Sequence, residues 1–338
     1  MMYYKLRTTG LLVLMLMAAS VSVQAQTVKL LNSGSKASLR GLSVVNDDVV
    51  WVSGTGGSVG RSIDGGETWT WTTVAGFEKT DFRDIEAFDK NTAIIMGIAS
   101  PAYILKTTDG GKNWKVVYEN KDTTMFMDAM EFWNEQAGVV IGDPQGDKIF
   151  IIRTFDGGET WRGIPPANLP TADKGEAFFA SSGTNVRKLS KEEAVFVSGG
   201  LRARLFIRDK KIDLPIIQGK ETTGANSMAV KNKKTLIVVG GDFNAKDDTT
   251  KNCVITTDGG KTFTEPVVRP HGYRSCVEYI GETNWISCGL NGVDYSSDEG
   301  QNWAWISKDS FHAVRKAKKG KAVYFSGGGG RIGKLVWQ

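Results

Sequence analysis

Seven short apolar runs that each end in glycine recur along the 338-residue chain, separated by polar or glycine-rich residues. Runs of this length, rich in β-branched and aromatic residues and bounded by turn residues, are typical of β-strands. Around each run the pattern predicts an opening strand before it and two further strands after it. The runs are residues 51–54, 95–97, 140–142, 196–199, 238–240, 286–289 and 324–327.

A polar motif, S/T-x-D-x-G-x-x-W/F, joins the third strand to the fourth in five of these repeats. Its aspartates are 45, 47, 102 and 40 residues apart, and Asp209 divides the longest gap into 53 and 49 residues, although the glycines and the tryptophan are lost there. A period of about 40–50 residues indicates a ring or stack of one supersecondary unit. The five aspartates are Asp64, Asp109, Asp156, Asp258 and Asp298.

The residues of this motif fit a tight turn between two strands. An aspartate carboxylate accepts hydrogen bonds from turn amides, glycine adopts a positive φ at little cost, and an aromatic side chain packs beside the turn. A calcium loop would need several more oxygen ligands than these turns carry. We therefore interpret the five aspartates as structural, and the sequence predicts no metal site and no cofactor.

The last of the seven repeats lacks a fourth strand, whereas the first is preceded by a spare strand at about residues 27–31. That spare strand can complete the last unit, which closes the ring and removes the open edges of an unclosed array. The sequence therefore predicts an all-β fold, a seven-bladed β-propeller closed by its N-terminal strand.

Residues 1–25 have the features of a secretory signal peptide. Lys5 and Arg7 precede an apolar run at residues 11–19, and a small-x-small cleavage signal ends at Ala25. We expect a periplasmic or secreted protein whose single domain, the propeller, covers residues 26–338. Its net charge falls from +5 to +3 once Lys5 and Arg7 are removed. This mild charge predicts no nucleic-acid partner. No later apolar run is long enough to span a bilayer, so we expect no membrane insertion. We also expect a monomer.

The polar motif resembles the Asp-box, or BNR repeat, of β-propellers, which also occurs in sialidases and other glycoside hydrolases. The R-S-x-D-G-G-x-T-W form of residues 61–69, with opening strands FRDI at 82–85 and YRSC at 273–276, resembles more closely the photosystem II stability/assembly factor-like family. This resemblance covers nearly all of residues 27–338. It implies an exported propeller that binds other proteins during assembly, with the partner of this chain unidentified.

Four basic residues begin opening strands in blades that become neighbours only when the ring closes. Arg274, His312, Arg40 and Arg83 belong to blades 6, 7, 1 and 2 in that order. Arginine binds carboxylates and other planar anions through two parallel hydrogen bonds. We predict that these residues form a ligand-binding arc at one mouth of the channel. The alternative is that each arginine pairs with a neighbouring acid such as Asp84.

Three carboxylic acids on the same face suggest a second function. Asp143 and Asp242 lie in the loops of blades 3 and 5, and Glu176 is predicted to open blade 4. An acid and a base from this set could cleave a glycosidic bond if they stood roughly 5–9.5 Å apart. The alternative is that each aspartate caps its own loop. Binding of a protein or anionic ligand and hydrolysis of a carbohydrate both stay open, so enzymatic activity is undecided.

Two cysteines are predicted to face each other across one hairpin, because Cys276 and Cys288 lie symmetrically about the turn at residues 281–284. Either a cross-strand disulfide or two buried thiols fits this placement. Residues 328–333 match G-x-G-x-x-G, but no helix can follow them to hold a pyrophosphate, so a dinucleotide site is not expected.

Overall fold

The computed structural model describes residues 26–191 and 193–337, and the predicted signal peptide lies outside them. The described residues form seven antiparallel sheets arranged as the blades of a β-propeller, as predicted. Two 3₁₀ turns, Pro166–Asn168 and Gly328–Gly330, are the helical elements of this part of the chain. None of its helices is long and apolar enough to cross a membrane.

Each blade is named in chain order, with its strands given from the channel outward. Blade 1 contains Leu39–Val44, Val50–Gly54, Ser58–Ser62 and Thr70–Thr73; blade 2 contains Phe82–Ala87, Ala93–Gly97, Ala102–Thr107 and Lys115–Asn120. Blade 3 contains Met127–Phe132, Gly138–Gln145, Lys148–Thr154 and Arg162–Gly163; blade 4 contains Val186–Lys188, Ala194–Val197, Arg204–Ile207 and Lys210–Asp213. Blade 5 contains Thr223–Val230, Leu236–Asp242 and Cys253–Thr256, joined by the short strands Glu176–Ala177 and Gly199–Gly200. Blade 6 contains Cys276–Gly281, Asn284–Gly289, Gly292–Ser296 and Ala304–Ser307; blade 7 contains Ala313–Lys316, Val323–Ser326, Ile332–Trp337 and Gln26–Leu31.

The N-terminal strand closes the ring, which confirms the prediction for residues 27–31. Gln26–Leu31 pairs in antiparallel register with Ile332–Trp337, from Gln26 opposite Trp337 to Leu31 opposite Ile332. The first and last parts of the chain therefore share one blade, and the sheet edge that the last repeat would expose is covered.

The core lies between blades. Each apolar cluster joins two neighbouring blades; Trp51 and Ile95, for example, pack together between blades 1 and 2, and Cys276 and Phe325 between blades 6 and 7. This burial of paired sheet faces is the main stabilising contribution, at roughly 25 cal/mol per Å² of apolar surface. It also holds the inner strands in place around the central channel.

The five S/T-x-D-x-G-x-x-W/F segments, called box turns below, share one hydrogen-bond pattern. In blade 1 the Ser62 hydroxyl donates to the Asp64 carboxylate at 2.8 Å, and the backbone N–H of Thr68 donates to the same carboxylate at 2.9 Å. Gly65 and Gly66 both adopt positive φ, 73° and 89°. The side-chain hydrogen bond from Thr68 is the largest effect that lowers the pKa of Asp64 to about 2. Asp109, Asp156, Asp258 and Asp298 accept equivalent bonds.

Replacing Asp64 with alanine is expected to lower the melting temperature without changing ligand binding by the folded protein. The amide and hydroxyl of Thr68 lose their acceptor in this variant. Because the pKa of Asp64 is lowered, its contribution to stability exists above pH 4 and disappears as the pH falls towards 2. Thermal melts at pH 7 and pH 3 measure both effects, with the exposed neighbour Glu67→Ala as the control. A variant that melts like the wild type at pH 7 contradicts this role.

Blade 4 departs from the predicted strand pattern. Glu176 does not begin its inner strand; instead Glu176 pairs with Gly200 at the edge of the blade 5 sheet, and the inner strand starts at Val186. The intervening chain enters the central channel, and residues 179–185 are called the channel plug below. The prediction failed because the apolar Phe178 and Phe179 continue the strand pattern, although they pack as loop residues.

The channel plug contacts blades on the opposite side of the ring. The Ser182 hydroxyl donates to the Ser275 carbonyl at 2.7 Å, and the Arg315 guanidinium donates to the Ser182 carbonyl at 2.6 Å. Gly183 has a φ of +67°, and a Cβ there would lie 2.3 Å from a carboxylate oxygen of Asp84. Only glycine fits both the conformation and the space. The plug therefore separates the two ends of the channel.

Candidate functional site

A cavity of about 470 Å³ lies above the channel plug, at the face where the inner strands begin, and is called the mouth cavity below. Blades 1, 2, 3, 5, 6 and 7 and the plug all contribute side chains to its wall. Those used below are Arg40, Arg83, Phe126, Asp143, Phe179, Ser181, Asn226, Phe243, Tyr273 and His312.

Three of the four predicted basic residues meet in the mouth cavity. Arg40, Arg83 and His312 line it together, and the Arg40 guanidinium donates to the Ser181 carbonyl of the plug at 3.3 Å. Arg83 donates to Asp81 at 2.7 Å, so it does pair with a neighbouring acid, as the alternative expected, although that acid is Asp81 and not Asp84. Both arginines are half-buried, which leaves part of each guanidinium facing the cavity.

The basic residues act on one another electrostatically. Burial, and then the charges of Arg40, Arg83 and Arg331, lower the pKa of His312 to about 3. Burial, followed by the charge of Arg83, also lowers the pKa of Arg40. His312 is therefore neutral at physiological pH. Its Nε2 lies 3.2 Å from the Ser38 hydroxyl, and its buried Nδ1 has no hydrogen-bond partner among the described residues.

Arg274 is not part of this arrangement. Its side chain is fully buried and forms an ion pair with Asp294, with Nε 2.6 Å from the carboxylate. The same guanidinium donates to the Tyr273 carbonyl at 2.8 Å and to the Asn291 side chain at 2.6 Å. The donors of the Arg274 guanidinium are therefore directed at protein groups and not at a ligand. Arg274 therefore stabilises the interior of blade 6.

Aromatic residues line the wall of the mouth cavity beside the arginines. Phe179 of the plug lies edge-on to Phe243, with 5.9 Å between ring centroids, and Phe243 lies edge-on to Tyr273 at 6.3 Å. The Tyr273 hydroxyl donates to the Asn226 side chain at 2.8 Å, which fixes the ring. The cavity thus offers an apolar wall next to cationic groups. The sequence carries no periodic signal for these aromatics, because they lie in loops of different blades.

The three predicted catalytic acids do not meet in one cavity. Glu176 is buried and accepts hydrogen bonds from Arg204 and from the Ser198 hydroxyl. Asp242 accepts the backbone N–H of Asn244 at 3.0 Å and so caps its own loop. Asp143 alone of the three lines the mouth cavity, where it accepts the N–H of Phe178 at 2.9 Å.

Two further acids, Asp84 and Asp128, are buried on the inner strands of blades 2 and 3. Burial, with the nearby charge of Asp143, raises the pKa of Asp128 well above its usual range. Burial also raises the pKa of Asp84 to about 7, although its carboxylate accepts the N–H groups of Ile85 and Met130. Asp128 therefore does not fully cancel the charge of Arg83, and the cation that acts on Asp84 is Arg315, which does not line the mouth cavity. In the sequence, only their positions at the opening strands indicated that these acids lie near the central channel.

Cys276 and Cys288 are directly paired residues on the first two strands of blade 6, as predicted. Both are buried free thiols. Arg315, which also holds the plug, lies with Nη1 3.3 Å from the Cys276 sulfur. No group of three or more potential metal-ligating side chains occurs among the described residues.

No protein-family model and no curated protein matches this chain. Solved structures of propellers do. One described as YCF48 bound to D1 peptide aligns with a TM-score of 0.64 at 14% identity, over 94% of this chain and 96% of the other. YCF48 from Cyanidioschyzon merolae aligns with a TM-score of 0.64 at 17% identity, over 91% and 98%. The WD40 domain of Neurospora crassa Pan2 aligns with a TM-score of 0.60 at 12% identity, over 88% and 89%. At these identities the likeness establishes a shared propeller fold.

Proposed function

We propose that this protein is an exported binding module that recognises a carboxylate of a partner protein in the mouth cavity. The observation that carries the proposal is that Arg40, Arg83 and His312 line one partly buried cavity. Burial, and then the charges of Arg40, Arg83 and Arg331, lower the pKa of His312 to about 3. Cations held together in a partly buried cavity repel one another unless an anion joins them. A carboxylate is the anion whose shape matches the arginine side chain.

The geometry favours the end of a peptide, or a single acidic side chain, over a strand threaded through the ring. The channel plug forms the floor of the mouth cavity, since Arg40 donates to Ser181 and Arg315 to Ser182. A ligand entering from the mouth must therefore stop there. The wall formed by Phe243 and Tyr273 suits an apolar side chain next to the bound carboxylate.

Two lines of support come from outside the cavity. The features of residues 1–25 are those of a signal peptide, which supports export to the periplasm or the medium. The box turns resemble those of the photosystem II assembly factor-like propellers, and a structure of similar fold is described as bound to a peptide. Both support a role in binding or assembling other proteins.

Carbohydrate hydrolysis is the less favoured hypothesis. A glycosidase needs two carboxyl groups facing one open cleft. Glu176 is held by Arg204 inside the protein, and Asp242 lies outside the mouth cavity. Asp143 and Glu176 do line a second cavity of about 520 Å³, but the Glu176 carboxylate is fully buried and held by Arg204 and Ser198.

An acidic hexapeptide with a free C-terminus is expected to bind the wild-type protein more tightly than the same peptide with an amidated C-terminus. Replacing Arg40 and Arg83 together with alanine should weaken binding at least tenfold, since a hydrogen bond to a charged group contributes about 1.5–3 kcal/mol. Binding should also weaken as salt is raised. Isothermal titration measures these affinities, and the exposed Lys36→Ala, near the same face, is the control.

The ionisation of His312 provides an independent measurement. A bound anion stabilises the imidazolium, so the peptide should raise the pKa of His312 from its low value in the free protein. The NMR shift of the His312 ring carbon, followed between pH 3 and pH 8, reports this change. Equal affinity for wild-type protein and the double variant, with no change at His312, would rule out the mouth cavity as the site.

A further inference from the structure

Box turns fill the grooves between blades. In blade 3 the second glycine of the box turn, Gly158, lies so close to Ile94 of blade 2 that a Cβ would be 2.3 Å from the isoleucine side chain. Gly300 of blade 6 lies equally close to Ile237 of blade 5. Trp161, which ends the turn of blade 3, packs in the same cluster as Ile94. Each of these turns covers apolar residues of the preceding blade.

A basic residue of the preceding blade secures several of these turns. Lys106 of blade 2 donates to the Gly157 carbonyl of the next box turn at 2.9 Å, and Lys334 of blade 7 donates to Gly65 at 3.3 Å. Arg61 of blade 1 also lies against Gly110 of the next turn, although its guanidinium donates to the Lys90 carbonyl at 2.6 Å. Lys106 is the strand partner of Ile94, so the basic residue and the covered apolar residue lie side by side.

Blade 4 has no box turn to cover blade 3. Residues 63–69 connect the third and fourth strands of blade 1, whereas Arg208 and Asp209 alone connect them in blade 4. A groove of about 650 Å³ remains between blades 3 and 4. Its apolar floor is formed by Val139, Ile141, Ile151, Phe196 and Phe206.

Blade 3 has residues at the positions that contact a box turn in other blades, although blade 4 has no box turn. Val139 is paired with Arg153 in blade 3, as Ile94 is paired with Lys106 in blade 2. Arg153 is exposed, and its guanidinium makes no hydrogen bond or ion pair with the described residues. Arg153 lines the groove, and its position in blade 3 corresponds to that of Lys106 in blade 2, which donates to the box turn of the next blade.

We propose that the groove between blades 3 and 4 binds an acidic turn of a partner protein that carries an aromatic residue. The aromatic ring occupies the apolar floor, where a box tryptophan packs in other blades. Acidic and carbonyl oxygens of the turn bind Arg153 and Lys210 at the rim, neither of which has a carboxylate partner among the described residues. Arg208 is already paired with Glu193 at 2.8 Å and forms the closed end of the rim.

Two segments of the chain border this groove. Ile164 and Leu169, which follow the short outer strand of blade 3, pack beside the floor, and residues 208–211 of the blade 4 hairpin line it as well. The groove is separate from the mouth cavity, because no residue lines both. The inference therefore does not depend on the function proposed above.

A cyclised hairpin peptide with the sequence of residues 59–72 of this protein, which contains the acidic box turn and its tryptophan, is a suitable probe. Fluorescence anisotropy of the labelled peptide should show saturable binding to the wild-type protein. Arg153→Glu should weaken binding at least tenfold, because it replaces a charge-assisted hydrogen bond with repulsion. Lys112→Glu makes the same charge change on an exposed box turn of blade 2 and should have no effect.

A second peptide in which Trp69 is replaced by alanine should bind at least tenfold more weakly, since it lacks the ring that fills the floor. Equal binding of both peptides, or equal loss of affinity in Arg153→Glu and Lys112→Glu, overturns the proposal. Sedimentation of the free protein tests whether a second copy of this chain occupies the groove. A dimer that Arg153→Glu dissociates would assign the groove to self-association and would also overturn it.

Discussion

Deleting residues 26–32 is expected to lower the melting temperature by about 10 °C or more, through a loss of several kcal/mol. The deletion removes the outermost strand of blade 7, which pairs with Ile332–Trp337 along its whole length. It also removes Val28 and Leu31, which pack against the clusters of blades 6–7 and 7–1. Without this strand the ring has an open edge, so we also expect aggregation on heating.

A pair of point substitutions separates the packing contribution from the simple loss of chain. Val28→Asp places a carboxylate against Gly333, whose Cβ would lie 2.8 Å from the valine side chain, and should mimic much of the deletion. Leu30 is 49% exposed, near one end of the same strand, and Leu30→Asp should have little effect. Calorimetry of the three variants tests the closure, and an unchanged melting temperature in the deletion variant contradicts it.

The architecture was predictable because its determinants are local and repeated. The aspartate of each box turn acts within a few residues of its own position in the chain. Even the lost box could be placed: Asp209 does lie in the hairpin between Ile207 and Lys210, where Arg208 takes a positive φ. Closure followed from counting strands, since an all-β ring must pair its edges.

The channel plug was not predictable from the same pattern. Ser181, Ser182 and Thr184 are polar, and a polar run between strands predicts an exposed loop. They are nevertheless buried, because their hydrogen-bond partners come from Ser275 of blade 6 and Ser227 of blade 5. Partners so distant in sequence leave no periodic signal.

The candidate site was predictable in part, because a repeat fixes where a side chain starts but not what it meets. Arg83 and Arg274 occupy the same position relative to their opening strands. Blade 6 places Asp294 on its third strand, where it draws Arg274 inward. Arg83 instead pairs with Asp81 at the start of its own strand and stays at the cavity. A single residue on another strand therefore decides which arginine faces the mouth cavity.

Replacing Arg274 with alanine is accordingly expected to destabilise the protein by about 3–5 kcal/mol, as removal of one partner from a buried ion pair does. The carbonyl of Tyr273 and the side chain of Asn291 each lose a donor, and Asp294 loses its cation while keeping the N–H of His271, all in a buried site. Arg83→Ala, at the matching position of blade 2, should cost about 1 kcal/mol or less, because Arg83 and Asp81 are partly exposed. Urea denaturation at pH 7 measures both.

Binding should show the opposite order. Arg83→Ala should weaken binding of the acidic hexapeptide. The folded fraction of Arg274→Ala should bind the peptide with the affinity of the wild type, because Arg274 does not line the mouth cavity. Replacing the buried pair by Arg274→Met with Asp294→Leu should recover part of the lost stability, because it removes the unpaired carboxylate. If Arg274→Ala instead unfolded like the wild type and lost the peptide, Arg274 would belong to the binding residues after all. The arc would then extend into blade 6, and the ion pair with Asp294 would have to open when the ligand binds.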